Sequence, residues 1–181
     1  VPRPTLVFDK WCGDPHDNPV LQIDREGYLW LFSPSHGPWT TPSFIHRSAA
    51  PYEIDRWETL DDGSLFAYPQ PWYSAKRGFL FMHTIYGGGR ALHAKRSTDG
   101  LNWTEPVKLA HIAQGHYQVT AHAPERDIVA TAFNYHPEEG GLEARTNLYY
   151  AQTNDWGESW TTMTGDRLDL PLTEAQNPAL I

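Results

Sequence analysis

Short apolar runs alternate with turn residues along the whole chain, and this pattern predicts β-strands joined in hairpins. Three hairpins follow one another, with strand pairs at 18–24 and 28–32, at 70–75 and 79–82, and at 117–122 and 127–133. Between the two strands of each pair stands a short segment with Gly, Pro or charged residues, which favour turns. Prolines are spread throughout, and no long window has apolar residues spaced three and four apart. We therefore predict an all-β fold.

Each hairpin is followed by a loop, a third strand and a turn that ends in Trp. The third strands are at 43–47, 91–96 and 147–152, and the closing residues Trp57, Trp103 and Trp160 are 46 and 57 residues apart. A repeated unit of four short strands, about 50 residues long, is typical of a β-propeller blade. The blades are predicted at approximately 14–60, 64–109 and 115–164, and 176–181 are predicted to begin a fourth.

The predicted fold is therefore a β-propeller of four-stranded antiparallel blades, with about three blades in residues 1–181. Propellers have roughly four to eight blades, so three cannot close a ring. We expect a further segment or another chain to complete it.

The turns that end in Trp carry a recurring motif. Residues 153–160 fit the Asp-box pattern Ser/Thr-x-Asp-x-Gly-x-Ser/Thr-Trp, residues 97–103 have the same pattern one residue shorter, and 48–57 are a decayed copy. In such a turn the Asp carboxylate accepts backbone N–H groups and Gly adopts a positive φ. The motif is structural, so Asp99 and Asp155 are not candidate acid catalysts.

Composition excludes several classes of function. The net charge is −8 and no Lys/Arg run occurs, which argues against a nucleic-acid partner. No stretch approaches the roughly 20 apolar residues of a membrane helix, so no membrane partner is predicted. Cys12 is the single cysteine, which rules out an internal disulfide and a Cys-based zinc cluster. Aromatic residues make up 13% of the chain and suit both a propeller core and a sugar site.

Blade topology predicts one shared mouth. The loop between the second and third strands lies at the same rim as the start of the first strand, so residues distant in sequence converge there. The residues predicted at this rim are His16, His36, Tyr68, Arg90, His116, Tyr117, Tyr135, His136 and Arg145. The other histidines fall in strands or outer loops and are predicted to be structural. No short-spaced pair such as His-x-x-x-His occurs at the rim, so no metal site is predicted.

Several segments resemble Asp-box propellers of the BNR-4 type. They are 14–19, 35–37, 68–71, 132–137, 145–150 and 176–180. That family includes ulvan lyases, which are seven-bladed propellers that cut uronic-acid polysaccharides by β-elimination. The resemblance implies a polysaccharide lyase that acts on an acidic polysaccharide or oligosaccharide, in a secreted or periplasmic location. It implies no cofactor in this segment, although a structural metal is expected in later blades.

The resemblance also implies roles for the rim residues. β-Elimination needs a base, an acid for the leaving oxygen and a group that neutralises the uronate carboxylate. His16 and His36 are expected to be the base and the carboxylate partner, in either order, with Tyr135 as the acid and Arg90 or Arg145 as the cation. The expected substrate-binding residues are Tyr68, Arg90, His116, Tyr117, His136 and Arg145.

Two other functions stay open. A sialidase-like glycoside hydrolase would need paired carboxylates or a Tyr–Glu nucleophile, together with an arginine cluster. The predicted rim is instead rich in His and Tyr, and its nearby acids are Asp14, Asp17, Glu138 and Glu139. A non-catalytic glycan-binding propeller is the third reading, because a fold does not determine a function.

Overall fold

Eleven β-strands and one short helical turn make up the regular structure of the residues described. The structure is a computed structural model that describes residues 3–10, 13–37, 42–60, 65–141 and 143–181. The elements are a 3-10 turn at Pro15–Asp17, β1 (Val20–Ile23), β2 (Leu29–Ser33), β3 (Phe44–Ser48), β4 (Trp57–Leu60), β5 (Ala67–Ser74), β6 (Gly78–Tyr86), β7 (Arg90–Ser97), β8 (Val107–Ala110), β9 (Gln118–Ala123), β10 (Ile128–Tyr135) and β11 (Thr146–Thr153). Within these ranges, no helix is long and apolar enough to cross a bilayer.

The strands form three antiparallel sheets in chain order, and each sheet is one blade. The sheets are β1-β2-β3-β4, β5-β6-β7-β8 and β9-β10-β11. Up-and-down pairing of neighbouring strands follows from the short hairpin turns. The all-β prediction is confirmed, and the strand positions predicted from the hairpin pattern agree to within a few residues.

The third sheet differs from the other two at its outer edge. Where the other sheets have a fourth strand, this sheet has an isolated β-bridge, in which Thr161 forms hydrogen bonds of 2.8 and 2.9 Å with Gln152 of β11. The end of the chain also lies along β11: the Tyr150 N–H donates to the Ala179 carbonyl at 2.8 Å, and the Ile181 N–H donates to the Leu148 carbonyl at 2.9 Å. Residues 179–181, predicted as part of a new inner strand, thus satisfy backbone groups on the edge of the third blade.

Equivalent glutamines connect the inner strands of successive sheets. The Gln22 side chain on β1 donates to the Pro71 carbonyl on β5 at 3.1 Å, and the Gln70 side chain on β5 donates to the Gln118 carbonyl on β9 at 3.1 Å. The first strands of the sheets therefore lie side by side. The molecule is a partial β-propeller of about three blades.

The core lies between the blades, and β6 contributes to both of its halves. Phe79 and Phe81 pack towards the first blade, in a cluster with Trp30. Leu80 and Met82 pack towards the third blade, in a cluster with Val129. Successive residues of a strand face opposite sides, so the apolar run Phe79–Met82 fits a strand segment that is covered on both sides. Each such side chain stabilises the fold by about 1.5–3 kcal/mol.

The outer turns hold their own aspartates. Asp99 accepts the N–H groups of Leu101 and Asn102, both at 2.8 Å, and the hydrogen bond from Asn102 is the main reason why the pKa of Asp99 falls to about 2. Asp155 accepts the Ser159 N–H at 2.9 Å. These carboxylates act within their turns, away from the mouth.

Candidate functional site

Two histidines from different loops of the first blade stack at one rim. His16 precedes β1 and His36 follows β2, and their ring centroids are 4.0 Å apart with 19° between the ring planes. Nδ1 of His16 lies 2.7 Å from Asp14 Oδ1, and Nδ1 of His36 lies 2.6 Å from Asp14 Oδ2. The carboxylate of Asp14 therefore forms a short contact with Nδ1 of each imidazole.

The local sequence explains how this carboxylate is placed. Asp14 caps the 3-10 turn, where its Oδ1 accepts the backbone N–H of His16 at 2.9 Å, and Pro15 has the φ that the first position of the turn needs. That backbone hydrogen bond, followed by those from the two rings, holds the pKa of Asp14 far below its usual range. The loop that carries His36 is tied to the second blade, because the Ser35 N–H donates to the Phe66 carbonyl at 2.9 Å.

Tyr68 of the second blade faces the edges of both stacked rings. Its ring centroid is 6.2 Å from that of His16 and 5.9 Å from that of His36, at angles of 85° and 78°. The residue has a φ of 49°, at the point where the register between β5 and β6 shifts. Left-handed backbone is unusual for Tyr, and such strain is found where a side chain has to be aimed.

The surroundings of Tyr68 favour the protonated phenol. Burial is the main cause that raises the pKa of Tyr68, and the neighbouring hydroxyls of Tyr86 and Tyr117 add to it. The Tyr86 hydroxyl lies 3.4 Å from that of Tyr68. The phenol thus keeps its proton at neutral pH.

Aromatic and cationic side chains extend the mouth to the third blade. Tyr117 lies 5.4 Å from Tyr68, between ring centroids. The guanidinium carbons of Arg90 and Arg145 lie 5.0 and 4.8 Å from the Tyr117 ring centroid, within the range of cation–π attraction. Arg90 is half-buried at the start of β7, whereas Arg145 is exposed.

The charge on Arg90 is retained despite its partial burial. Desolvation by itself would lower the pKa of Arg90, but the hydrogen bond to Tyr86 and the nearby phenols of Tyr117 and Tyr68 outweigh it and raise the pKa. The backbone of Arg90 is held from both sides, since its N–H donates to Gln114 and its carbonyl accepts from His116. A fixed cation therefore stands beside the tyrosines.

Three predicted site residues have other environments. The Tyr135 ring is 6.2 Å from Tyr149 and packs against the core cluster between the second and third blades. His116 is fully buried, so its assignment to substrate binding is corrected: Nε2 accepts the Ile112 N–H at 2.9 Å, and Nδ1 lies 2.6 Å from the Asn134 carbonyl. Burial lowers the pKa of His116 to about 4, and the neutral ring holds the loop before β9 in place.

His136 lies in the wall beneath the mouth. It is 2% exposed, and its ring centroid is 5.2 Å from that of Tyr117. Burial, with the charges of Arg90 and Arg145, lowers the pKa of His136. It supports the Tyr117 ring and offers little surface to a ligand.

The histidine pair suits a shared hydrogen-bond acceptor better than a metal ion. Within the described ranges, Asp14, His16 and His36 form one group whose ligand atoms all lie within 4.8 Å of one another. A metal bound to an imidazole lies near the ring plane, at about 2.1 Å from nitrogen. The two imidazole rings are nearly parallel and their centroids are 4.0 Å apart. One metal ion therefore cannot lie in the planes of both rings and bind a nitrogen of each. The absence of a metal site stays a prediction.

The sequence placed Asp14 only among the acids near the rim and did not predict its contacts with the two imidazoles. It placed Tyr68 only among the substrate-binding residues. A signal for Asp14 was available, because Asp before Pro is a common way to begin a helical turn, and the cap fixes where its carboxylate points. No sequence signal distinguishes Tyr68 from the other tyrosines of the rim.

Comparisons with known proteins agree with this fold. The family described as "BNR repeat-containing family member" matches residues 4–181. An ulvan lyase of Nonlabens ulvanivorans is 26% identical in an alignment of 191 positions that covers 89% of this chain and 40% of that protein. An ulvan lyase of Alteromonas sp. (strain LOR) is 24% identical over 89% of this chain and 39% of its own length. The chain thus spans about two fifths of these relatives.

Solved structures show the same architecture. A PL25 ulvan lyase superposes with a TM-score of 0.77 at 21% identity over 89% of this chain and 43% of that one, and a second structure of it is bound to -[GlcA(1-4)Rha3S]-. The polysaccharide lyase Uly1 superposes with a TM-score of 0.71 at 14% identity, over 94% of this chain and 47% of that one.

Proposed function

The chain belongs to the family of BNR repeat-containing proteins, and on that premise we propose that it carries the catalytic mouth of a polysaccharide lyase. The substrate class is a glycan that contains uronic acid, and the reaction is β-elimination. The observation that carries the proposal is the stacked pair His16–His36 on one carboxylate, with the Tyr68 phenol at the edge of both rings. The relatives named ulvan lyase support the same class.

The first step is removal of the proton at C5 of the uronate. An imidazole nitrogen of His16 or His36 accepts this proton, and histidine suits that role near neutral pH. The C5–H electron pair forms the double bond between C4 and C5, and the C4–O bond breaks with its electrons on the leaving oxygen. Electrons balance without an oxidant, a reductant or water.

Tyr68 replaces Tyr135 as the proposed acid. A phenol carries its proton at neutral pH, and the Tyr68 ring stands at the edge of both imidazoles, so it is placed to donate that proton to the leaving oxygen. The fixed guanidinium of Arg90 neutralises the uronate carboxylate and so stabilises the carbanion-like state. Tyr117 and the exposed Arg145 contact the next sugar, and the polymeric substrate favours a secreted or periplasmic location.

The acids near the mouth favour a lyase over a hydrolase. Asp14 is engaged by two imidazoles, Asp17 pairs with Lys10 at 3.2 Å, and Glu138 accepts from the Gln114 side chain at 2.5 Å. Inverting glycosidases need two carboxyl groups about 6.5–9.5 Å apart that are available to the sugar. Beside these engaged acids, the mouth presents imidazoles, phenols and guanidinium groups.

The products of the reaction test this proposal. The complete protein is incubated with a panel of uronate polysaccharides that includes sulfated ones, and near-ultraviolet absorbance and reducing ends are both followed. We expect absorbance from an unsaturated uronate to rise in step with the number of new chain ends. New reducing ends without that absorbance would identify a hydrolase, and binding without new ends would identify a glycan-binding protein.

A pair of matched variants tests the acid. Tyr68→Phe removes only the hydroxyl, and we expect kcat to fall by about 100-fold or more, since a positioned acid contributes on that order. Tyr135→Phe is the control, because that ring packs against Tyr149. Both rates are measured from the absorbance of the unsaturated product. Equal losses in the two variants would contradict the reassignment of the acid to Tyr68.

A further inference from the structure

We infer that Asp14 is a positioning residue that determines the tautomer of His16 and of His36, and hence which nitrogen each ring presents to the glycan. The expected effect of Asp14 on catalysis rests on the proposed function, whereas the assignment of the two tautomers does not.

The argument begins with the atoms in contact. Both short contacts of the carboxylate are to Nδ1, at 2.7 Å for His16 and 2.6 Å for His36. An ionised carboxylate only accepts hydrogen bonds, so each Nδ1 must carry a hydrogen. A neutral ring with its hydrogen on Nδ1 has a lone pair on Nε2. Both rings are then of the same tautomer, with Nε2 as the acceptor.

The orientation and exposure of the two rings place the Nε2 acceptors where a ligand could reach them. Nε2 lies across the imidazole from Nδ1, so both Nε2 atoms face away from Asp14. The side chains of His16 and His36 are 48% and 25% exposed, so the rings are within reach of a ligand. Hydrogen bonds to the other ring nitrogen are the usual device by which proteins set the tautomer of a working histidine.

Substitution by asparagine gives a different outcome for the two rings. The amide has one oxygen, which accepts, and one nitrogen, which donates. Asp14 Oδ1 accepts both the backbone N–H and the Nδ1 of His16, so the amide oxygen is expected at this position. The amide nitrogen then faces His36 and donates to its Nδ1, which forces the hydrogen of that ring onto Nε2.

Nitrogen NMR tests this asymmetry directly. The complete protein is labelled with ¹⁵N-histidine, and two-bond ¹H–¹⁵N correlations of the rings are recorded at a pH where they are neutral, with His16→Gln and His36→Gln for assignment. We expect the Nδ1–H pattern for both rings in the wild type. In Asp14→Asn we expect His36 to change to the Nε2–H pattern while His16 keeps its own. Asp169→Asn, an exposed loss of the same charge, is the control and should change neither.

Several outcomes would overturn the inference. They are an Nε2–H pattern on either ring of the wild type, unchanged patterns in Asp14→Asn, or the same change in Asp169→Asn. Asp14→Glu keeps a carboxylate and should keep both Nδ1–H patterns, which guards against a misfolded Asn variant.

Kinetics distinguish this inference from the proposed function. We expect Asp14→Asn to lower kcat by about 100-fold or more with little change in KM, since a wrong histidine tautomer lowers kcat by about 10⁴ in the Ser-His-Asp triad, and we expect Asp14→Glu to restore part of it. If the His36 tautomer changes and kcat does not, the role of His36 in the reaction fails while the control of the tautomer by Asp14 stands. If no substrate is turned over at all, the spectra still decide the inference.

Discussion

Histidines in this chain differ by what surrounds the imidazole. His46, His93 and His116 are buried, and burial is the main cause that lowers the pKa of each. His16 and His36 are partly exposed and share the carboxylate of Asp14. The first group is neutral and structural, whereas the second is the pair for which we propose proton transfer.

His116 gives a testable pH dependence of stability. Its folded pKa of about 4 lies below the ordinary value of 6.5, so the unfolded chain binds the proton more readily. The stability due to the neutral ring is fully present above pH 6.5 and is lost as the pH falls towards about 4, by about 1.4 kcal/mol per pH unit and about 3 kcal/mol in all. In urea unfolding at several pH values, His116→Gln should lose less free energy of unfolding than the wild type over this window. Parallel pH profiles for the two proteins would contradict this role.

At the scale of elements, the outer turns of the second and third blades pack their glycines against the preceding blade. Gly100 and Gly157 occupy equivalent turns, with φ values of 74° and 87°. A Cβ at Gly100 would lie 2.3 Å from the Trp30 ring of the first blade, and one at Gly157 would lie 2.9 Å from the Leu80 side chain of the second. The turn thus both closes its own blade and seals the contact with its neighbour.

Gly100→Ala is therefore expected to destabilise the fold. The left-handed backbone costs about 1 kcal/mol for a residue with a Cβ, and the clash with Trp30 adds about 1–3 kcal/mol. Gly87→Ala is the matched control, because a Cβ there meets no atom within 4 Å. Thermal unfolding should show a clear decrease in Tm for the first variant and little change for the second. Equal Tm values would show that the turn tolerates a side chain.

At the scale of the whole molecule, the site exists only because three blades share a rim. The first blade supplies the histidine pair, the second supplies Tyr68 and Arg90, and the third supplies Tyr117 and Arg145. The chain carries a net charge of −8, yet two guanidinium groups flank Tyr117 at the mouth. An anionic substrate responds to this local charge more than to the total.

For kcat/KM on an anionic substrate, the position of an arginine should therefore matter more than its contribution to the net charge. Arg90→Ala is expected to lower kcat/KM on a uronate polysaccharide by about 100-fold, because it removes the group that neutralises the carboxylate. Arg126→Ala changes the net charge equally, but Arg126 is exposed in the turn between β9 and β10, at the opposite rim. Its kcat/KM should match the wild type. Similar losses in the two variants would mean that charge acts at long range only.

The sequence alone determined the three hairpins, the third strand of each blade, the order of the sheets and the rim to which each of their loops belongs. These follow from local rules: a strand repeats every two residues, a turn needs particular residues, and hairpins alternate between two ends. The third strand predicted at 91–96 accordingly lies within Arg90–Ser97. The histidines before β1 and after β2 were likewise predicted at one rim.

Only the tertiary structure decided which rim residues meet. Tyr68 and Tyr135 both stand at rim ends of strands, but a positive φ at a register shift aims Tyr68 at the histidine rings, while Tyr135 packs against Tyr149. His116 is buried by contacts with Ile112 and Asn134, and Asp14 reaches a ring 22 residues away. Such choices depend on backbone irregularities and on contacts between loops, to which no periodic pattern corresponds.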